Sequence, residues 1–183
     1  MATRAPAKKT TLAKAASSAS VPAKRQKDAC DLLDADHKAV KKLFKDYEAL
    51  AGSRSRSSAK KRQLADSICR ELMVHATLEE EIFYPAVRAA IKDDALLNEA
   101  TVEHASAKEL ISQIQGMQPE DALFDAKMTV LGEYIDHHVK EERNEMFPKA
   151  KKSRLDLVKM RSQLETRKGE LMSQVQASGS PQA

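Results

Sequence analysis

HATLEEEIFYP, residues 75–85, has an echo in HVKEERNEMFP, residues 138–148. With His75 laid on His138, Glu79 falls on Glu142, Tyr84 on Phe147 and Pro85 on Pro148. On a helix, positions i and i+4 sit one above the other on the same face. Each stretch therefore predicts an imidazole and a carboxylate projecting side by side from one helix. That is a two-tooth metal grip, and the chain has two.

The spacing of apolar residues around these grips predicts four long helices. The first runs from about Asp28 to Ala51, with Leu33, His37, Val40, Phe44, Tyr47 and Ala51 on one stripe. The second runs from about Ala59 to Ile91, with Leu64, Ile68, Leu72, His75, Glu79 and Ile82 inward and Glu80 and Glu81 turned away. Pro85 lacks an amide donor and should kink or interrupt this helix just beyond the grip. The third, about Asp94 to Met117, carries Leu97, Thr101, His104, Ala107, Ile111 and Ile114. The fourth, about Glu120 to Ala150, carries Phe124, Met128, Leu131, Ile135, His138 and Glu142. His137 lies about 100° round from His138 and reads as a flanking residue. GSRSRSS (52–58), KDD (92–94) and GMQPED (116–121) have the composition of turns and helix starts. A fifth helical stretch, 151–176, has a broken stripe of Leu155, Val158, Leu164, Leu171 and Val175 that either packs on the bundle or mediates a homodimer. Residues 177–183 read as a flexible tail.

Composition agrees with an all-α chain. Gly and Pro are scarce among 183 residues, and there is no Trp. No apolar run approaches the roughly 18 residues of a membrane helix, and no apolar segment of a secretory signal opens the chain. Cys30 and Cys69 show no metal-type spacing and read as reduced, buried thiols, which suits a cytoplasmic protein. The net charge of +4 conceals a partition: residues 1–27 carry +7 and residues 149–183 carry +5, leaving −8 between them. Residues 1–27 hold almost no large apolar side chain and read as disordered. A solubilising tail, a nonspecific nucleic-acid or polyanion contact and a cleaved targeting segment all suit that composition.

One inward His is more often a hydrogen-bonded core residue than a ligand. Here four His and two Glu share core-facing stripes: His37, His75, Glu79, His104, His138 and Glu142. Burying two carboxylates costs several kcal/mol each unless they are paired, protonated or metal-bound. The nearest cation, Lys108, could answer one of them and not both. The order is His, then His-x-x-x-Glu, twice, so two helical hairpins related by a pseudo-twofold axis would bring the six groups into one layer of a four-helix bundle. By ligand type the set suits iron, manganese or zinc. A closed structural zinc site needs fewer ligands and usually sulfur, so two iron ions fit best.

With these residues the chain resembles the hemerythrin-like family, the HHE cation-binding domain, over about residues 28–150. The resemblance implies an up-down-up-down four-helix bundle, with the C-terminal helix and the tails outside it, around an oxo- or hydroxo-bridged di-iron centre. His37 and His75 would hold one iron, His104 and His138 the other, and Glu79 and Glu142 would bridge them. O2, nitric oxide or peroxide would meet the iron at an open position, in sensing, stress response, iron homeostasis or a peroxidase- or catalase-like reaction. The chain departs from the oxygen-carrying branch at Lys108, where that branch has a second His on the third helix. It departs again at Glu142, where that branch has an Asp one residue further on. Both departures weaken the case for simple O2 carriage. Residues 1–27 lack the cysteine motif of the related iron–sulfur repair proteins.

Overall fold

The computed structural model describes residues 25–52 and 57–178, and every regular element among them is helical. Asp28 starts α1 (Ala29–Ala51) with a reciprocal cap. Its carboxylate accepts from the Asp31 amide at 3.0 Å, and the Asp31 carboxylate accepts from the Asp28 amide at 2.9 Å. Arg25 pairs with both acids, at 2.9 and 2.7 Å. The disordered reading of residues 1–27 otherwise falls on 1–24, outside the described residues.

The second rod is α2 (Ser58–Leu78), a π-helical turn π1 (Glu79–Phe83) and α3 (Tyr84–Ile91). The fourth repeats that plan as α5 (Phe124–Glu141), π2 (Glu142–Met146) and α6 (Phe147–Lys152). The two prolines explain the plan. A proline ring collides with the carbonyl four residues back and donates to none. A widened turn solves the problem: the Tyr84 amide reaches Glu79 O and the Phe147 amide reaches Glu142 O, five residues back. The interruption expected at Pro85 is thus a π turn that begins on the grip's own glutamate, and Pro148 brings a second one that the continuous reading of the fourth helix did not include.

Between the rods, Lys92 adopts φ 54, in the left-handed region, and Asp93 caps α4 (Asp94–Gln115). The fourth rod begins at Phe124 rather than near Glu120: residues 118–123 form turns, in which the Asp121 carboxylate accepts from the Gln118 amide at 2.7 Å.

α1 packs on α2, α2 on α4, α4 on α5 and α5 back on α1, which closes a four-helix bundle. Gly132 lets α5 approach α1 closely, since a Cβ there would lie 3.3 Å from the Phe44 ring. The last helix, α7 (Leu157–Ser178), packs on α1 and α2. Its buried face is Leu157, Met160 and Leu164, with Leu171 beside them. Val158 and Val175, expected on that face, are exposed. Thr101 likewise lies outside; Ala100 takes its place in the core, and the Thr101 hydroxyl donates to Leu97 O.

The apolar interior is two clusters. One gathers Leu33, Leu78, Phe83, Leu97, Met146 and Leu164, the other Val40, Ile68, Leu72, Ile111, Met128 and Leu131. A polar layer separates them.

Candidate metal centre

That layer contains all six residues expected from the sequence, each buried: His37, His75, Glu79, His104, His138 and Glu142. α1, α4 and α5 each contribute one His and α2 the fourth, while each glutamate opens a π turn. The groups sort into two pairs. His37 Nε2 lies 2.8 Å from His75 Nε2, and His104 Nε2 lies 3.2 Å from His138 Nε2. Glu79 spans the pairs, with Oε1 3.2 Å from His75 and Oε2 3.4 Å from His104. Glu142 does the same through Oε2, 3.2 Å from His37 and 3.6 Å from His138.

All four imidazoles turn Nε2 inward. Three of the outer nitrogens face carboxylates that the stripes did not reveal, while His37 Nδ1 is buried without a hydrogen-bond partner. His104 Nδ1 contacts Glu80 at 3.0 Å and His138 Nδ1 contacts Glu103 at 2.7 Å. His75 Nδ1 faces Asp36, 3.9 Å away. A proton held on Nδ1 by a carboxylate leaves a lone pair on Nε2, the usual outer support of a metal-binding His. Glu80, expected to turn away, therefore supports the layer, and Lys108 pairs with Glu80 at 2.5 Å rather than with either buried glutamate. Among the described residues no Lys or Arg pairs with Glu79 or Glu142.

A further group arrives from the π turn. The Tyr84 hydroxyl sits 3.2 Å from His104 Nε2, 3.3 Å from His138 Nε2 and 3.1 Å from Glu142 Oε1, to which it donates. Its counterpart, Phe147, stacks on His37 at 5.9 Å. The pseudo-twofold axis thus relates two aromatic rings, each on the lone His of the opposite half, but only one bears a hydroxyl. The two halves of the layer are chemically unequal.

Six such groups fit cations and fit nothing else present. The inward nitrogens crowd in pairs 2.8 and 3.2 Å apart, and Glu79 Oε1 and Glu142 Oε2 are buried without a hydrogen-bond partner. The protonation states conflict as well. Burial, with the neighbouring His75 charge, pushes His37 down to about 3. Burial and then the Glu79 charge push Glu142 up to about 8. Burial would raise Glu79 too, but His75 and His104 hold it well below the usual carboxylate range. A divalent ion removes the conflict by taking lone pairs from both residue types. Two overlapping donor sets are available: His37, His75, Glu79 and Glu142, and Glu79, His104 and His138.

The hemerythrin HHE cation binding domain model matches residues 28–150. The chain belongs to this family. The chain also aligns with the crystal structure of an HHE cation binding domain-containing protein from Mycobacterium kansasii. That alignment has a TM-score of 0.66 and 21% identity, over 84% of this chain and 94% of that one. A DNA nickase of Nostoc sp. (strain PCC 7120 / SAG 25.82 / UTEX 2576) is 27% identical over 117 residues, 64% of this chain. The match takes in 32% of the nickase, so this chain corresponds to about a third of that relative. Among the described residues of the HHE domain and the helix after it, no helix is long and apolar enough to cross a membrane.

Proposed function

We propose that the HHE domain holds two iron ions in the polar layer and binds a small oxygen species there. The ligands would be the six residues named from the sequence, with the Tyr84 hydroxyl beside them on the His104 and His138 side. The observation that carries this reading is the convergence of four Nε2 atoms and two glutamates into two adjacent sets that share Glu79. Iron bound in such a set supplies redox chemistry and an open position for a small ligand.

The chain's own residues define what reaches that position. His37, His75, His104 and His138 line a cavity whose remaining wall includes Val40, Leu72, Ala107, Ile111 and Ile135. Its volume, about 20 Å³, is room for about one water-sized molecule. That size admits O2, nitric oxide or hydrogen peroxide and rejects bulky organic peroxides. The Tyr84 hydroxyl, which burial and the two glutamates hold protonated well above its ordinary range, can donate a hydrogen bond inside the layer.

Elemental analysis of protein expressed with iron, with optical spectra before and after air, tests the proposal. About two irons per chain and an air-dependent band support it; a single zinc, or no metal, rejects it. Steady peroxide turnover that disappears in His75→Ala would move the reading from binding protein to peroxidase.

The nickase relative favours a second reading, action on DNA, to which the basic residues 1–27 would contribute phosphate contacts. Nicking of supercoiled plasmid by the metal-loaded chain, lost in His75→Ala, would support it. Intact plasmid would remove it.

A further inference from the structure

The grip His138-x-x-x-Glu142 has a twin offset by one residue, His137-x-x-x-Glu141. One helical position turns it about 100° outward, and there it meets Glu103 from α4. His137 Nε2 lies 3.6 Å from Glu103 Oε1 and 3.4 Å from Glu141 Oε1. A charge-assisted N–H···O bond would be about 2.7–2.9 Å long, shorter than either contact. A single nitrogen converging on two carboxylates from 3.4 and 3.6 Å matches another geometry. Around an ion with bonds of about 2.0–2.1 Å, tetrahedral ligands stand roughly 3.3–3.4 Å apart. The three ligand atoms all lie within 4.8 Å of one another.

The second observation is what Glu103 does with its other oxygen. Oε2 accepts from His138 Nδ1 at 2.7 Å, so this carboxylate has one foot on the buried layer and one on the surface. The side chain of His137 is 63% exposed, which leaves the remaining coordination positions to water.

We propose that His137, Glu103 and Glu141 form an outer site for a first-row divalent cation, sharing Glu103 with the buried centre. One imidazole and two carboxylates suit Zn2+ or Fe2+. The ion adds positive charge to the carboxylate that holds the His138 proton. Its presence therefore weakens that hydrogen bond and alters His138 as a donor to the buried layer. The outer site is labile, because it is open to water, while the inner one is enclosed.

The full-length chain is loaded with metal, cleared of loosely held ions on a chelating resin and analysed for buried metal content. It is then titrated with Co2+ by equilibrium dialysis and absorption. One further Co2+ per chain is expected, bound at least tenfold more weakly by His137→Ala and by Glu141→Gln, with the buried metal content of both variants unchanged. Glu145→Gln, exposed and outside the cluster, is the control and binds Co2+ as the parent does. The visible spectrum of the buried centre shifts on Co2+ addition in the parent and stays fixed in His137→Ala. No extra Co2+, or an affinity in His137→Ala and Glu141→Gln equal to the parent's, overturns the site. Saturable Co2+ binding with a motionless spectrum overturns the sharing of Glu103. Failure of the iron proposal appears separately, in the metal content measured before any Co2+ is added.

Discussion

Glu142 shows how a candidate ligand can cost stability in the metal-free chain. Its carboxyl is buried, and in the metal-free chain burial and Glu79 raise its pKa to about 8, above its value in the unfolded chain. At pH 7 folding must therefore keep a proton on it or bury its charge, and both are unfavourable. Glu142→Gln removes that cost and removes a ligand oxygen. Metal per chain should fall by elemental analysis, while the metal-free variant melts no lower than the metal-free parent in calorimetry. A metal-free variant several degrees less stable would show that Glu142 serves packing and not coordination. Tyr84→Phe separates the two halves of the layer. Metal stoichiometry should hold while the visible spectrum of the loaded protein changes; an unchanged spectrum would place the phenol outside the metals' reach. The six residues of the layer, four in the grips and His37 and His104 outside them, were legible because the helix period puts each on an apolar stripe. Glu80, Glu103 and Asp36 were not, since each lies off its stripe and reaches an Nδ1 on a neighbouring helix. Tyr84 was hidden for another reason: it stands five residues after Glu79, a position that faces inward only when the turn between them is π-helical.

Among the elements, the π turns and α7 depart most from what periodicity alone predicts. Four bundle rods, their order and the interruption at Pro85 follow from stripes, turns and proline chemistry. The start of α5 does not, because Pro119 and two acids describe a helix start equally well as the tight turns that 118–123 adopt. The stripe expected for α7 holds at Leu164 and Leu171 and fails at Val158 and Val175, where charged residues crowd the apolar ones: the buried series is Leu157, Met160 and Leu164, one residue out of step with Val158. Leu164 is fully buried against the cluster that includes Ala29, Leu33 and Leu78. Leu164→Ala should cost about 2–5 kcal/mol, read from denaturant unfolding. A cost under about 1 kcal/mol would mean that α7 is only loosely applied to the bundle. α7 also reaches the metal-bearing segments directly. Arg167 pairs with Glu81 of π1 at 2.6 Å, and Lys168 pairs with Asp36 at 2.6 Å. The turn before α4 gives a smaller test. Lys92 holds a left-handed backbone that costs an L-residue roughly 1–2 kcal/mol. Lys92→Gly should raise the melting temperature by a few degrees, and a lower one would assign the Lys92 side chain a stabilising role.

At the scale of the whole molecule, the charge partition of the chain takes a structural form. The acidic middle folds as a bundle, and basic Lys151, Arg161, Arg167 and Lys168 come back onto it through α6 and α7. Metal and fold are coupled, because ligands supplied by all four rods must meet in one place. Chelation of the loaded protein should therefore lower its melting temperature, measured against His75→Ala as a variant with little to lose. The division of the interior carries this further. Two apolar clusters with a polar floor between them are two potential units of cooperative unfolding. Bound ions would join them, since each donor set draws on helices that serve both clusters. In amide hydrogen exchange the loaded chain should open as one body. The stripped chain should open in two stages, with amides flanking Leu33 and Leu78 exchanging at a different free energy from those flanking Ile68 and Ile111.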